Sequence, residues 1–154
     1  MMRKPFHMTQ AGVAELGAEL QRLISQRSEV IEHIKMAREL GDLSENAEYI
    51  SARQAQDRIE TRIIELQDIL KNVKLITRPK QASKVRLGSV VTLRYGGSTL
   101  KQLQLVGTVE ADPLRGKISD ESPFGRVLLD KVVGDELRFN TGTKAIVYTI
   151  VSIE

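Results

Sequence analysis

The chain contains no cysteine and no tryptophan, and only three Tyr and three Phe among its 154 residues. The absence of cysteine excludes disulfide scaffolds, thiol catalysis and zinc sites built on thiolates. The two histidines, His7 and His33, are far apart in the sequence, so a metal site built from imidazoles is not expected. Few aromatic rings also means few platforms on which nucleic-acid bases can stack.

Long apolar runs and a strong charge of one sign are missing too. No stretch approaches the roughly 20 apolar residues that a transmembrane helix needs, and residues 1–7 lack the apolar segment of a secretory signal. Residues 1–77 carry 11 Lys and Arg against 12 Asp and Glu, and residues 78–154 carry 12 against 8. The first half therefore has no basic excess, and the excess of the second half is too weak for an autonomous DNA-binding protein. We therefore expect a cytoplasmic protein with no membrane partner.

The first half of the chain does contain a heptad pattern. From Thr9 to about residue 40, apolar residues recur at spacings of three and four, and Arg27 is the single polar residue on the seam. The same spacing returns in a second segment from about Glu45 to Leu75. The seam residues are Val13, Leu16, Leu20, Leu23, Val30, Ile34 and Ala37, and then Ala52, Ala55, Ile59, Ile63, Leu66, Leu70 and Val73.

Two long helices joined by a few residues have to fold back antiparallel. Thr9 is a suitable N-cap for the first helix, Gly41 a suitable stop, and Pro79 ends the second. Each helix is expected to be about 46 Å long, which exceeds the roughly 38 Å diameter of a compact globule of this chain length. We therefore predict a coiled-coil hairpin over residues 1–77 that protrudes as an arm, with its turn at residues 41–46.

The second half has a different pattern. After a short basic linker at residues 78–84, β-rich runs alternate with Gly, Pro and Asp. Ser122 and Pro123 predict the N-cap and first residue of a short helix that ends near Leu129. The fold class is therefore α+β, with a small antiparallel β-sheet domain and one short helix over residues 85–154. The predicted strands cover residues 90–94, 103–109, 136–139 and 145–153.

The predicted turn carries two closely spaced carboxylates. Asp42 and Glu45 are three residues apart and would share one side of the second helix if that helix began near Asp42. Carboxylate oxygens suit Mg²⁺, but two of them are too few to bind the ion tightly, so another macromolecule would have to supply the remaining ligands. The alternative is that Asp42, Ser44 and Glu45 only cap the second helix.

Two arginines flank this turn. Arg38 lies one turn before the break and Arg53 two turns after Glu45, so an antiparallel hairpin brings both to its end. They are suited to hold phosphates beside the carboxylates. The alternative is that they are ordinary solvated charges, paired with residues of their own helices.

Residues 41–49 read GDLSENAEY, which resembles the signature of the bacterial Gre transcript cleavage factors, most closely the GreA type. The family has a basic patch on its helical hairpin, and GreB-like members have a dense one. Here the corresponding patch consists only of Arg38 and Arg53, which also favours the GreA type. Residues 95–103 and 140–144 depart from the usual family sequence. The similarity continues in order at Met8–Thr9 and at residues 30–32, 37–39, 66–70, 110–113, 116–119, 122–129 and 133–136.

The resemblance implies a factor that binds bacterial RNA polymerase and enters its secondary channel with the hairpin. There it stimulates the polymerase's own cleavage of RNA whose 3′ end has been extruded by backtracking. It implies that Asp42 and Glu45 are ligands, supplied in trans, of a Mg²⁺ ion and water shared with the polymerase active site. By the same resemblance, Leu43 and Ser44 shape the tip, and no metal or other cofactor is stably bound to the free protein.

Other residues also receive roles from the resemblance. Arg38 and Arg53 occupy the positions of the family's basic patch, which faces the extruded 3′ end of the nascent RNA. The C-terminal domain is expected to have an FKBP-like fold and to dock on the polymerase through Glu121, Ser122 and Pro123. The alternative for these three residues is a turn and helix cap, and for Ser122 and Pro123 we expect that role as well. We expect a monomer that is not itself an enzyme.

Three alternatives stay open. An inhibitory Gre homologue would occupy the channel without promoting cleavage, although the intact pair of Asp42 and Glu45 argues against it. A coiled-coil scaffold would dimerise through its seam and would not depend on Asp42. A prolyl isomerase of the FKBP type would need an aromatic-lined pocket, for which the second half offers only Tyr95, Phe124, Phe139 and Tyr148.

Overall fold

A computed structural model of the chain describes residues 4–41, 46–77 and 83–154. Residues 11–72 form one compact unit, called here the hairpin unit, and the described residues before and after them form a second, called the sheet unit. Within the described residues, no helix is both long enough and apolar enough to span a bilayer. The elements are β1 (Phe6–Met8), α1 (Gln10–Glu39), α2 (Ala47–Lys71), β2 (Val73–Leu75), β3 (Val90–Tyr95), β4 (Thr99–Val106), a 3₁₀ turn (Pro113–Arg115), β5 (Lys117–Ser119), α3 (Pro123–Leu128), β6 (Glu136–Thr141) and β7 (Lys144–Ile153).

The hairpin unit consists of α1 packed antiparallel to α2. Two ion pairs between the helices show that they run in opposite directions. Glu19 pairs with Arg62, whereas Arg27, which lies later in α1, pairs with Glu60, which lies earlier in α2. With 30 residues, α1 is about 45 Å long. The prediction of a long antiparallel helical hairpin is therefore confirmed.

The predicted heptad seam is the face along which the two helices pack. Every seam residue within α1 and α2 is buried or half-buried, and Ile34, Ala37, Ile63 and Leu66 are the most enclosed. Full burial of a Leu or Ile side chain contributes roughly 1.5–3 kcal/mol, so this stripe is the main stabilising surface of the unit. Arg27, the one polar seam residue, extends its guanidinium to within 3.6 Å of the Glu60 carboxylate.

Arg62 links the two helices beside the seam. Its Nε and Nη2 donate to the Glu19 carboxylate at 2.7 and 3.2 Å, and its Nη1 donates to Glu65 at 2.8 Å. The hydrogen bond from Arg62 holds the pKa of Glu19 below its ordinary value, and the hydrogen bond to Glu19 raises the pKa of Arg62. Both groups are therefore charged at neutral pH, and the pair favours one register of the helices.

The end of the second helix was predicted wrongly. The heptad spacing predicted a helix to Leu75, but α2 ends at Lys71, and the N–H of its C-cap Asn72 donates to the Ile69 carbonyl. The next three residues form β2, which pairs in parallel with β1. This pairing places residues 4–10 and 73–77 in the sheet unit, whereas the predicted division put all of residues 1–77 with the hairpin.

The sheet unit is built on five strands in the order β5-β4-β3-β7-β6. The α+β class is confirmed, and all neighbours in the sheet are antiparallel except β5, an edge strand that pairs in parallel with β4. The strand predicted at 103–109 is displaced, because β4 spans residues 99–106. Gly96 and Gly97 adopt positive φ values of 59° and 90°, and this tight turn lets β4 begin directly after β3.

One apolar core holds the sheet unit together. The predicted helix is confirmed as α3, with Ser122 as its N-cap and Pro123 as its first residue. This helix contributes Leu128, which is 1% exposed, to a core made mainly by strands β3, β4, β6 and β7. The buried core residues are Val85, Val91, Leu93, Leu103, Leu105, Leu128, Leu137 and Ile150.

Candidate functional site

Asn46 connects the last turns of α1 to the first turn of α2. Its side-chain oxygen accepts a hydrogen bond from the Tyr49 N–H at 3.1 Å, so Asn46 is the N-cap of α2. Its side-chain nitrogen donates to the Ala37 carbonyl at 2.8 Å. The residue thus satisfies one N–H at the start of α2 and at the same time holds the two helix ends together.

The position of this cap corrects two expectations. Because α2 begins at Ala47 and is capped by Asn46, the interpretation of Asp42 and Ser44 as its caps is wrong. The argument that Asp42 and Glu45 share one side of that helix also fails, since it required a start near Asp42. Asp42, Leu43, Ser44 and Glu45 themselves lie outside the described residues.

Arg38 and Arg53 line one cleft between the helices, as the antiparallel hairpin predicted. The cleft has a volume of about 250 Å³ and is also lined by Ile31, Ile34, Lys35 and Gln56. The Arg53 Nη1 donates to the Gln56 Oε1 at 2.8 Å, and the Arg38 guanidinium carbon lies 6.0 Å from the ring centroid of Tyr49. The two arginines are therefore held by a neutral amide and an aromatic ring, and both remain exposed.

The other side of the seam has a different chemistry. A larger groove of about 710 Å³ lies there, lined mainly by small or apolar side chains, with His33 and two carboxylates, Glu39 and Glu48. Met36 and Leu40 are 61% and 71% exposed at this groove. The end of the hairpin unit is therefore two-sided, with cations in one cleft and apolar and acidic groups in the other.

The segment expected to contact the polymerase lies in the sheet unit. The Ser122 Oγ accepts from the Gly125 N–H at 3.1 Å and donates to the Ser119 carbonyl at 2.6 Å, which confirms its capping role. Glu121 is held by the Thr108 hydroxyl at 3.0 Å and by Lys4 at 3.7 Å, yet its side chain is 60% exposed. The segment is thus fixed by local bonds while Glu121 and Pro123 remain exposed at the surface.

The aromatic residues of the sheet unit pack against one another. The Phe124 ring contacts Phe139 and Tyr148 with centroids 5.1 and 5.4 Å apart, and Tyr148 contacts Tyr95 at 5.3 Å. These four are the residues that a prolyl isomerase pocket would have to use. Their mutual contacts occupy ring surface that such a pocket would need for its substrate.

A buried carboxylate that the sequence did not single out holds the segment before α1. Glu110 accepts hydrogen bonds from the Thr9 N–H at 2.8 Å and the Thr9 hydroxyl at 2.5 Å. Lys117 lies 3.5 Å from the same carboxylate, whose side chain is only 3% exposed. The charge is therefore paired and hydrogen-bonded, as a buried carboxylate must be, and it holds Thr9 within the sheet unit.

Sequence reasoning missed three residues at this end of the hairpin unit: Lys35, which lines the cleft of Arg38 and Arg53, Tyr49, which lies beside Arg38, and the N-cap Asn46. A signal for two of them was present in the helical spacing. Lys35 is three residues before Arg38 and Tyr49 four before Arg53, so each lies on the same helix face as an arginine already selected. For Asn46 there was no such signal, because Asp42 and Ser44 are equally suitable caps.

Comparison with known proteins gives consistent matches along the chain. The family model described as Transcription elongation factor, N-terminal, matches residues 6–75, and the one described as Transcription elongation factor, GreA/GreB, C-term, matches residues 80–154. Transcription elongation factor GreA of Acholeplasma laidlawii is 44% identical over 92% of this chain and 90% of its own. GreA of Lactococcus lactis subsp. cremoris (strain SK11) is 47% identical over 87% of this chain and 88% of its own. GreA of Chloroflexus aggregans is 38% identical over 99% of both chains.

Solved structures also match over nearly the whole length. The GreA factor homolog Gfh1 of Thermus thermophilus is 30% identical, with a TM-score of 0.46 over 98% of this chain and 99% of the other. A GreA/GreB factor from Nitrosomonas europaea is 19% identical, with a TM-score of 0.43 over 96% and 98% of the two chains.

Proposed function

This chain belongs to the GreA/GreB family of transcription elongation factors, and on that premise we propose that it binds bacterial RNA polymerase and stimulates cleavage of backtracked RNA. The hairpin enters the polymerase secondary channel, where the RNA 3′ end is extruded. The observation that carries this proposal is the convergence of Arg38 and Arg53 on one cleft, close in sequence to the residues that read GDLSENAEY. Cations that bind phosphate thus accompany carboxylates suited to a metal.

The two carboxylates between the helices are proposed to complete a magnesium site of the polymerase. Mg²⁺ is usually bound by one or two protein carboxylates, with water and phosphate oxygens as its other ligands. The donor set of Asp42 and Glu45 fits that pattern, with the polymerase and RNA supplying the rest. Mg²⁺ bound there would position and activate the water that attacks the RNA phosphodiester. Leu43 and Ser44 are proposed to shape the tip around the pair.

The remaining candidate residues are proposed to bind the RNA and the polymerase. Arg38 and Arg53 are proposed to hold phosphates of the extruded RNA, since guanidinium groups donate in a fork that matches phosphate oxygens. In the sheet unit, Glu121 and Pro123 are proposed to dock on the polymerase, presented by the turn that Ser122 caps. The protein acts in the compartment of the polymerase, the cytoplasm, and has no nuclease activity alone.

The direct test is to add the protein to stalled, backtracked elongation complexes whose RNA is labelled at its 5′ end. We expect faster shortening of the RNA than with polymerase alone, and no cleavage of the same RNA when polymerase is omitted. Slower shortening would instead support the inhibitory alternative, in which the hairpin occupies the channel without promoting cleavage. An unchanged rate at saturating protein would contradict the proposal.

A further inference from the structure

The backbone carbonyl of Ala37 is a common anchor for the end of α1 and the start of α2. It accepts a hydrogen bond from the Leu40 N–H at 3.2 Å and another from the side-chain nitrogen of Asn46 at 2.8 Å. Ala37 belongs to the packed seam and is only 3% exposed. In the sequence, Leu40 comes two residues before Asp42, and Asn46 directly follows Glu45. One oxygen atom therefore ties the chain on both sides of the proposed magnesium ligands.

Asn46 is also held by the first turn of α2. Its side-chain oxygen accepts a hydrogen bond from the Tyr49 N–H at 3.1 Å, and its backbone carbonyl accepts one from the Ile50 N–H at 3.0 Å. These two bonds lie within α2, whereas the bond to Ala37 crosses to α1. Because successive Cα atoms are about 3.8 Å apart, a fixed Asn46 limits where the chain can continue from Glu45.

Helix capping alone does not explain why this residue is an asparagine. Asp, Ser and Asn are all favoured N-caps, and the helix dipole favours the charged carboxylate of Asp. An aspartate, however, has no donor for the Ala37 carbonyl, and a serine has its donor and acceptor on a single oxygen, which the bond to Tyr49 would hold. The amide has them on separate atoms, and both are used here. The residue type therefore matches the crossing bond as well as the cap.

We propose that Asn46 is a positioning residue for Asp42 and Glu45, and that its bond to Ala37 prepares this pair to share a Mg²⁺ ion with the polymerase. The inference rests on the proposed function, because that function assigns the metal to the pair. Two carboxylates bind Mg²⁺ weakly, so the free energy of ordering them decides how much they contribute. Chain that is tied on both sides loses less conformational freedom when the ion binds.

The test separates the crossing bond from the cap. Asn46→Ser keeps a favoured N-cap and removes the amide donor to Ala37, whereas Asn46→Ala removes both. Asn72→Ser is the matched control, because the Asn72 side-chain nitrogen also donates to a backbone carbonyl, that of Asp68 at 2.8 Å, but at the other end of α2 and within its own chain segment. Each full-length variant is measured for melting temperature, for affinity to RNA polymerase, and for the Mg²⁺ concentration that gives half-maximal cleavage of backtracked RNA.

We expect Asn46→Ser and Asn46→Ala to raise the half-maximal Mg²⁺ concentration equally, by about tenfold, the lower end of the loss when a group that supports a metal ligand is removed. Saturating Mg²⁺ should restore the wild-type rate of cleavage, and the affinity for polymerase should not change. Asn46→Ala also loses the cap, so its melting temperature should be the lower of the two. Asn72→Ser should lower the melting temperature without changing the Mg²⁺ requirement.

Two results would overturn the inference. If Asn46→Ser has the wild-type Mg²⁺ requirement, Asn46 is a helix cap only. If Asn72→Ser raises the requirement as much as Asn46→Ser does, the metal responds to the stability of α2 and not to the crossing bond. Both differ from failure of the proposed function, in which the wild-type protein itself leaves cleavage of the labelled RNA unchanged; the inference would then fall with its premise.

Discussion

The Asp42→Ala variant is expected to lose stimulation of RNA cleavage by at least about 100-fold, while its affinity for RNA polymerase stays within about twofold of the wild type. Loss of a group that merely supports a metal ligand costs about 10- to 100-fold, and Asp42 is proposed to be a ligand itself. Binding should survive because the sheet unit and the helices of the hairpin are unchanged. The measurement is the rate of shortening of labelled RNA in backtracked complexes, at protein concentrations that saturate the polymerase.

Glu48→Ala is the matched control for this variant. Glu48 is an exposed carboxylate in the first turn of α2, two residues after the N-cap, and it is not part of the proposed pair. The Glu48→Ala variant should retain most of the wild-type rate of RNA cleavage. Its free energy of unfolding should fall only by the few tenths of a kcal/mol that a carboxylate near a helix N-terminus contributes. If Asp42→Ala and the wild type shorten the RNA equally, the assignment of the acidic pair is wrong.

The Gly125→Ala variant is expected to destabilise the sheet unit by about 3 kcal/mol or more, at the upper end of the cost of overpacking. A Cβ atom at this position would lie 2.9 Å from the carbonyl carbon of Ser119 and closer still to its oxygen. Both are backbone atoms, so neither can rotate away, and α3 would have to move. Since α3 is capped by Ser122, the displacement should also weaken polymerase binding. Urea unfolding of the full chain measures the first effect and a binding titration the second.

Gly17→Ala is the control for the same change in a different environment. Gly17 lies in α1, and an added Cβ there would meet no atom within 4 Å. Alanine favours a helix over glycine by about 0.8–1 kcal/mol, so this variant should be slightly more stable than the wild type. A Gly125→Ala protein with the wild-type unfolding midpoint would show that α3 is not packed on Ser119 as described.

The hairpin was predictable from sequence because its stabilising contacts are periodic. Apolar side chains at spacings of three and four define one face of a helix wherever they occur, and the residues so identified form the packed seam. Arg27 was visible as an exception, and its partner Glu60 explains it. The ion pair of Arg62 with Glu19 could not be predicted, because it depends on the register of two segments 43 residues apart.

The end of the second helix shows the limit of such patterns. Val73 continues the heptad spacing, so local sequence predicted helix there. Strand β2 forms because β1, far away in sequence, pairs with it, and non-local pairing overrides a local pattern. The buried Glu110 was missed for a similar reason, since its partner Thr9 is 101 residues away.

The candidate site was predictable in part. Helical spacing correctly brought Arg38 and Arg53 to one place, because position along two antiparallel helices follows from counting residues. Lys35 was not selected, since a single exposed lysine on a helix resembles any solvated charge until a facing helix places it in a cleft with Arg53. The choice of Asn46 over Asp42 and Ser44 as N-cap depends on backbone geometry that the sequence does not express.

The central claim is that this protein adds carboxylate ligands to a magnesium centre that belongs to its partner. The most direct measurement is the Mg²⁺ concentration that gives half-maximal RNA cleavage in backtracked complexes, with the wild-type protein, with Asp42→Asn and with polymerase alone. The wild type should lower that concentration, and Asp42→Asn should return it to the value for polymerase alone. A wild-type protein that accelerates cleavage while leaving the half-maximal concentration unchanged would contradict the claim.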